Sequence, residues 1–209
     1  MAIANLGGHS EEEYVEGAAM LSDSAVDIVE LNISCPNVKQ GGASFGTACA
    51  SAQEITAAVR KVTRKPLIVK LTPNVTSISD IAAAVEEAGA DAVSLINTLT
   101  GMRINIETRR PVLRNNTGGM SGPAVFPVAV RMVWETARRV KIPVIGMGGI
   151  ASWEDAVEMM LAGASAIQVG TAMFADAYAP LKMIEGIERY LEEHQIQSVT
   201  ELTGKVEVW

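Results

Sequence analysis

Cys35 stands between Ser34 and Pro36 in a polar stretch, Asn32-Ile33-Ser34-Cys35-Pro36-Asn37, that follows an apolar run ending in Leu31. A thiol on a loop at a strand end can act as acid or base once nearby dipoles lower its pKa. The plainer reading is a small buried hydrophobe, as most free cysteines are. Lys70 closes the run Pro66-Leu67-Ile68-Val69-Lys70. A charge inside an apolar strand is costly, so Lys70 either meets an anion at the strand end or snorkels to water. Asn32 and Asn97 also end apolar runs, where an amide offers a donor and an acceptor to a heterocycle with imide-like edges, or else caps a turn. Gly148-Gly149 and Gly170-Thr171 follow the last two apolar runs. Each pair reads as a tight turn or as a backbone cradle for a phosphate; two in consecutive units favour the cradle.

What must hold these groups is a repeat of short apolar run, small polar segment and amphipathic helix, the pattern of parallel βα units. The expected strands are 2–6, 26–33, 67–71, 92–97, 144–147 and 166–169. The expected helices are 10–21, 48–62, 78–88, 124–140 and 153–161, with a last one at about 181–194. Ser10 with Glu13, and Ser152 with Asp155, supply helix N-terminal caps. Gly89 and Gly163 fall just past helix ends, where a positive φ is wanted. The class is therefore α/β, a (β/α)8 barrel whose site gathers at the C-terminal ends of the strands: Asn5, Asn32, Lys70, Asn97-Thr98, Gly148-Gly149 and Gly170-Thr171. The connection from Leu99 to Ser121 carries Arg103, Arg109, Arg110 and Arg114 and leads into Gly122. A loop beyond about 12 to 15 residues is usually functional. Cys49 reads as a packing residue of the helix that begins near Ala48.

Composition narrows the function. Acidic residues outnumber basic ones, 24 to 17, and the basic residues are scattered, which argues against nucleic acid as partner. No apolar run approaches the roughly 18 to 20 residues that span a bilayer, and the opening ten residues lack the basic and apolar regions of a signal peptide, so the expected compartment is the cytoplasm. Two cysteines are too few for a disulfide framework, and neither they nor His9 and His194 have metal-ligand spacing. No linker or low-complexity tract divides the chain, so residues 1–209 are expected to form one domain.

The stretch Leu31-Asn32-Ile33-Ser34-Cys35-Pro36-Asn37-Val38-Lys39, with Gly41-Gly42 and Phe45-Gly46, resembles the active-site loop of dihydroorotate dehydrogenases in their class 1 form. Similar matches follow in order at Ile68 to Asn74, Ile96 to Leu99 with Gly101-Met102, Thr117 to Pro123, Ile145 to Ile150 and Val169 to Ala172. The segment from Asn97 to Gly122 is most similar to class 1B, the NAD-linked enzymes. The resemblance implies oxidation of dihydroorotate to orotate in pyrimidine (UMP) biosynthesis. It implies that Cys35 is the base at substrate C5 and that a hydride leaves C6 for FMN. Asn32, Asn37, Asn97 and Thr98 would hold the substrate. Asn5, Asn32, Lys70, Ile96, Gly122, Gly148, Gly149, Gly170 and Thr171 would contact FMN. The implied partner is an electron-transfer subunit carrying FAD and a [2Fe-2S] cluster, in a heterotetramer built on a homodimer. Such a cluster usually takes four cysteines, which this chain lacks.

Only six strand candidates occur, against eight in a closed barrel of about 250 residues. The expectation is an incomplete barrel without the family's first two βα units. Two alternatives stand beside an active dehydrogenase: a non-catalytic fragment of that enzyme, and a related flavin-dependent pyrimidine oxidoreductase. A class 1A enzyme, with fumarate as acceptor, would need no partner. A non-flavin phosphate barrel would not need the Cys35 loop.

Overall fold

The computed structural model describes residues 1–34 and 45–209. Four strands come first: β1 (Ile3–Leu6), β2 (Ile28–Asn32), β3 (Leu67–Lys70) and β4 (Ala92–Leu95). Four short strands follow, β5 (Leu99–Gly101), β6 (Ile104–Asn105), β7 (Arg110–Pro111) and β8 (Gly118–Met120), and then β9 (Val144–Met147) and β10 (Ala166–Gln168). Six of them make one sheet in the order β1-β2-β3-β4-β9-β10, with every neighbouring pair parallel. The sheet is open between β1 and β10. It nevertheless curls: Gln168 on β10 donates to Glu30 on β2 at 3.0 Å, although these strands are not sheet neighbours. Six parallel strands in an incomplete barrel is the expected architecture.

The helices are α1 (Glu11–Ser22), α2 (Cys49–Val62), α3 (Ile78–Glu87), α4 (Phe126–Ala137), α5 (Trp153–Ala162), α6 (Ala172–Ala175) and α7 (Ala179–Glu193). Their starts obey the capping chemistry. The Ser10 hydroxyl accepts from the Glu13 N–H, and Ser152 and Asp155 form a reciprocal capping box. Gly163 ends α5 at φ 128°, a conformation that a side chain would resist. Strand residues Val29, Leu31, Leu67, Val69, Val93 and Leu95 are buried with Ile55, Val59, Ile81 and Val85 of α2 and α3. The apolar sides of α2 and α3 thus cover the sheet, the burial that makes βα units stable.

Three expectations change. The long connection is not an irregular loop but two antiparallel ladders, β5 with β8 and β6 with β7. The fourth helix starts later than expected, because Pro123 to Val125 form a 3-10 turn before α4. Cys49 is exposed at the first turn of α2, so it does not pack in the core. Among the described residues no helix is long and apolar enough to cross a membrane.

Candidate active site

Backbone hydrogen bonds carry the chain beyond each strand and aim the residues that follow. The Ile96 N–H donates to the Met147 carbonyl at 2.8 Å, and the Asn97 N–H donates to the Leu71 carbonyl at 3.1 Å. Asn97 is thereby fixed beside the ends of both β3 and β9. Lys70 lies in register with Asn32 on one side and Ser94 on the other. Asn74 clips the next turn of chain: its amide donates to the Thr98 carbonyl at 3.0 Å, and its oxygen accepts the Thr100 N–H at 2.9 Å.

These exits surround a cleft of about 210 Å³ lined by Lys70, Ile96, Asn97, Thr98, Gly148, Gly149, Gly170 and Thr171. Eight residues singled out in the sequence therefore meet at one place. Gly149 has to be glycine, since at φ 79° a Cβ there would stand 2.8 Å from the Gly122 carbonyl oxygen and 2.8 Å from the Phe126 nitrogen. That contact also places Gly122 against the β9 exit. Above Gly170 the opposite holds: a Cβ would meet nothing within 4 Å, so a ligand can approach the bare backbone. Among the described residues Lys70 has no hydrogen-bonding or ionic partner. A cation so placed on a cleft wall is available to an anionic or electron-rich ligand.

Asn5 and Asn32 lie beside this cleft rather than on its wall, joined by a bond from Asn32 Nδ2 to Asn5 Oδ1 at 3.3 Å. Cys35 and Asn37 lie outside the described residues. Tyr14, wholly buried on α1, holds the entrance to that segment by donating its hydroxyl to the Asn32 carbonyl at 2.7 Å.

Sequence reasoning missed Glu30, Ser94 and Gln168. Glu30 is 4 % exposed, and its carboxylate accepts from Asn5 Nδ2 at 2.5 Å, Ser94 Oγ at 2.7 Å and Gln168 Nε2 at 3.0 Å. Three donors offset the desolvation of a buried carboxylate. The signal was a polar residue inside each of the apolar runs Val29-Glu30-Leu31, Val93-Ser94-Leu95 and Ile167-Gln168-Val169, at positions that the alternation of a strand turns to one face. Met120, Ser121 and Gln168 also line the cleft. His9 and His194 are exposed, His9 against Glu13 and His194 stacked on Tyr190. Among the described residues no group of three or more His, Cys, Asp or Glu could hold a metal ion.

Curled parallel strands, glycine-bearing exits after the last two of them, and a lysine and asparagines at the same end define a protein of the parallel (β/α) barrel class. The chain belongs to the dihydroorotate dehydrogenase family, whose pattern it matches over residues 1–191. It is 56 % identical over 207 residues to the "Dihydroorotate dehydrogenase B (NAD(+)), catalytic subunit" of Bacteroides thetaiotaomicron, covering 99 % of this chain and 68 % of that protein. The identically named protein of Citrifermentans bemidjiense is 57 % identical over 207 residues, with the same coverage. Among solved structures, DHODH from Eimeria tenella in complex with ferulenol superposes with a TM-score of 0.81. Identity there is 23 %, over 96 % of this chain and 60 % of that one, so the likeness speaks for the fold. The chain thus spans about two thirds of the length of these relatives.

Proposed function

We propose that this chain carries the FMN site of a dihydroorotate dehydrogenase and oxidises dihydroorotate to orotate, a step of pyrimidine biosynthesis. The observation that carries the reading is the cleft in which Lys70, Asn97, Gly148-Gly149 and Gly170-Thr171 meet at the strand ends.

The residues present fit the cofactor. Open space above the Gly170 backbone, and glycine-bearing turns at two consecutive strand exits, suit a phosphate. Lys70, without a partner among the described residues, suits the ring end, where it would stabilise negative charge during reduction. Ile96, Gly122 and Thr171 would complete the contacts, with Asn5 and Asn32 beyond them. FMN, when bound, supplies the acceptor for the hydride that leaves substrate C6. The chain's own residues do the rest. Cys35 takes the proton from C5, and Asn32, Asn37, Asn97 and Thr98 hold the pyrimidine and its carboxylate through paired donors and acceptors. A partner subunit carrying FAD and a [2Fe-2S] cluster would take the electrons on to NAD, in a heterotetramer built on a homodimer, in the cytoplasm.

The test is the visible spectrum of the purified chain after incubation with FMN and gel filtration, followed by anaerobic dihydroorotate. A retained flavin band that bleaches on addition supports the reading, and a chain that retains no flavin overturns it. Cys35→Ala should keep the band and slow bleaching by about 10²- to 10⁴-fold, the usual contribution of a general base. Full-rate bleaching by that variant would remove Cys35 from the mechanism. A second reading, a flavin-holding piece that does not turn over alone, draws on the opening between β1 and β10. Retained flavin without bleaching is its signature.

A further inference from the structure

We propose that Gln168 is a cofactor-contacting residue, its side-chain carbonyl oxygen accepting from a ribityl hydroxyl of FMN, and that Glu30 is the positioning residue that turns the amide that way. The proposal deepens the FMN site and rests on that reading for its ligand, though not for its geometry.

Gln168 ends β10, and its side chain lines the cleft. Its nitrogen is already engaged: Nε2 donates to Glu30 Oε1 at 3.0 Å. Among the described residues this is the one hydrogen bond that the Gln168 side chain makes. A primary amide has a donor end and an acceptor end that do not interchange. Turned about, it would set Oε1 against a carboxylate oxygen that already accepts from Ser94 Oγ at 2.7 Å. Glu30 is itself held at both oxygens, since Oε2 accepts from Asn5 Nδ2 at 2.5 Å, and the residue is nearly buried. The contact between carboxylate and amide is direct, with no rotatable hydroxyl between them.

Oε1 of Gln168 is then the end left over. It accepts from nothing among the described residues, yet it is not a buried orphan, because the one such side-chain atom there is Thr136 Oγ1. The oxygen is therefore open to solvent, on a residue of the cleft wall.

Position decides what it meets. Gln168 precedes Gly170 by two residues, about 7 Å of extended chain. Gly170 belongs to the exit proposed for the phosphate, whereas Lys70, proposed for the ring end, stands across the sheet on β3. Between phosphate and ring, FMN carries the hydroxyls of its ribityl chain. The cleft residues of β9, β10 and their exits are otherwise glycines and the apolar Met147, Ile150 and Val169. Among the described residues, Gln168 and Thr171 alone offer polar side chains on that side. A hydroxyl can rotate its proton toward whichever acceptor is presented, so an amide oxygen fixed from behind gives it a defined partner.

The test pairs a deletion in the side chain with a deletion in the ligand. Flavin fluorescence titration gives the affinity of the full chain for FMN and for an analogue in which a plain five-carbon alkyl phosphate replaces the ribityl phosphate. Gln168→Leu should weaken FMN about three- to tenfold, the scale of one neutral hydrogen bond, and leave the analogue unchanged. Glu30→Gln makes residue 30 able to donate, which frees the amide to turn, and should give the same loss for FMN alone. The double variant should lose no more than either single one. A merely structural Glu30 would weaken both ligands, and its effect would multiply with that of Gln168→Leu; that result overturns the positioning role. Equal loss for both ligands in Gln168→Leu, or no loss in the folded variant, overturns the contact. If the variants do not fold, the 13C-labelled wild-type chain answers instead. Its Gln168 side-chain carbonyl resonance should move with FMN and hold still with the analogue, and equal movement with both overturns the contact. A wild-type chain that binds no FMN would sink the function proposed above and this contact with it, whereas FMN binding indifferent to residue 168 sinks the contact alone.

Discussion

Gly149 shows how a single residue can join cofactor site and fold. Its backbone passes so close to the turn before α4 that a Cβ would lie 2.8 Å from both a carbonyl oxygen and a backbone nitrogen, at a φ of 79°. Neither partner is a flexible side chain that could swing away. Gly149→Ala should therefore cost about 1–3 kcal/mol, the range for side chains forced into sparsely populated backbone conformations. At about 2–4 °C per kcal/mol for a chain of this size, the melting temperature should fall by several degrees. FMN retention should fall with it, because Gly149 itself belongs to one of the two strand exits proposed at the phosphate. A melting curve coincident with wild type would show that the turn relaxes freely. Lys70 and Gly149 were legible in the sequence because a charge or a glycine at the end of an apolar run is out of place unless something needs it there. Glu30, Ser94 and Gln168 were not, because each reads as one polar residue in a strand and only the curl of the sheet brings the three together.

Among the elements, the corner from β10 through α6 into α7 carries the last of the site, and Asp176 ties it. Its carboxylate accepts from Lys182 Nζ at 2.6 Å and from the Tyr178 N–H at 2.9 Å. These contacts, the lysine first, hold the Asp176 carboxyl below its ordinary range. A depressed folded-state pKa gives stability that is present above the unfolded value and lost as pH falls through the folded one. Asp176→Asn should melt slightly below wild type at neutral pH, the difference staying small because exposed ion pairs contribute little. The two melting profiles should converge in acid, and a gap that widened toward acid would refute the assignment. The six sheet strands and their helices were legible because apolar runs, serine caps and glycine stops all agree on the same boundaries. The ladders of β5 to β8 were not, since strands of two or three residues are too short to show alternation. α6, at four residues, left no periodic trace for the same reason.

At the scale of the whole molecule, the parallel sheet has two free edges. Among the described residues β1 pairs with β2 alone and β10 with β9 alone, so each offers a row of unpaired N–H and C=O groups. Large apolar side chains lie exposed on the edge strand β1 and on the helices that follow β10: Ile3 at 42 %, Phe174 at 94 %, Leu181 at 57 % and Ile184 at 53 %. Open strand edges and apolar patches of this kind are normally covered by more chain or by a partner. The 209-residue chain purified by itself should therefore self-associate, with a light-scattering mass above 22.1 kDa, and should enhance the fluorescence of an apolar dye such as ANS. Co-expression with the part of the Bacteroides thetaiotaomicron relative that this chain does not match should reduce both signals if that part supplies the strands that cover these edges. A chain that is monomeric and silent toward the dye on its own would mean that the edges are already protected, and would count against the open barrel as its state in solution.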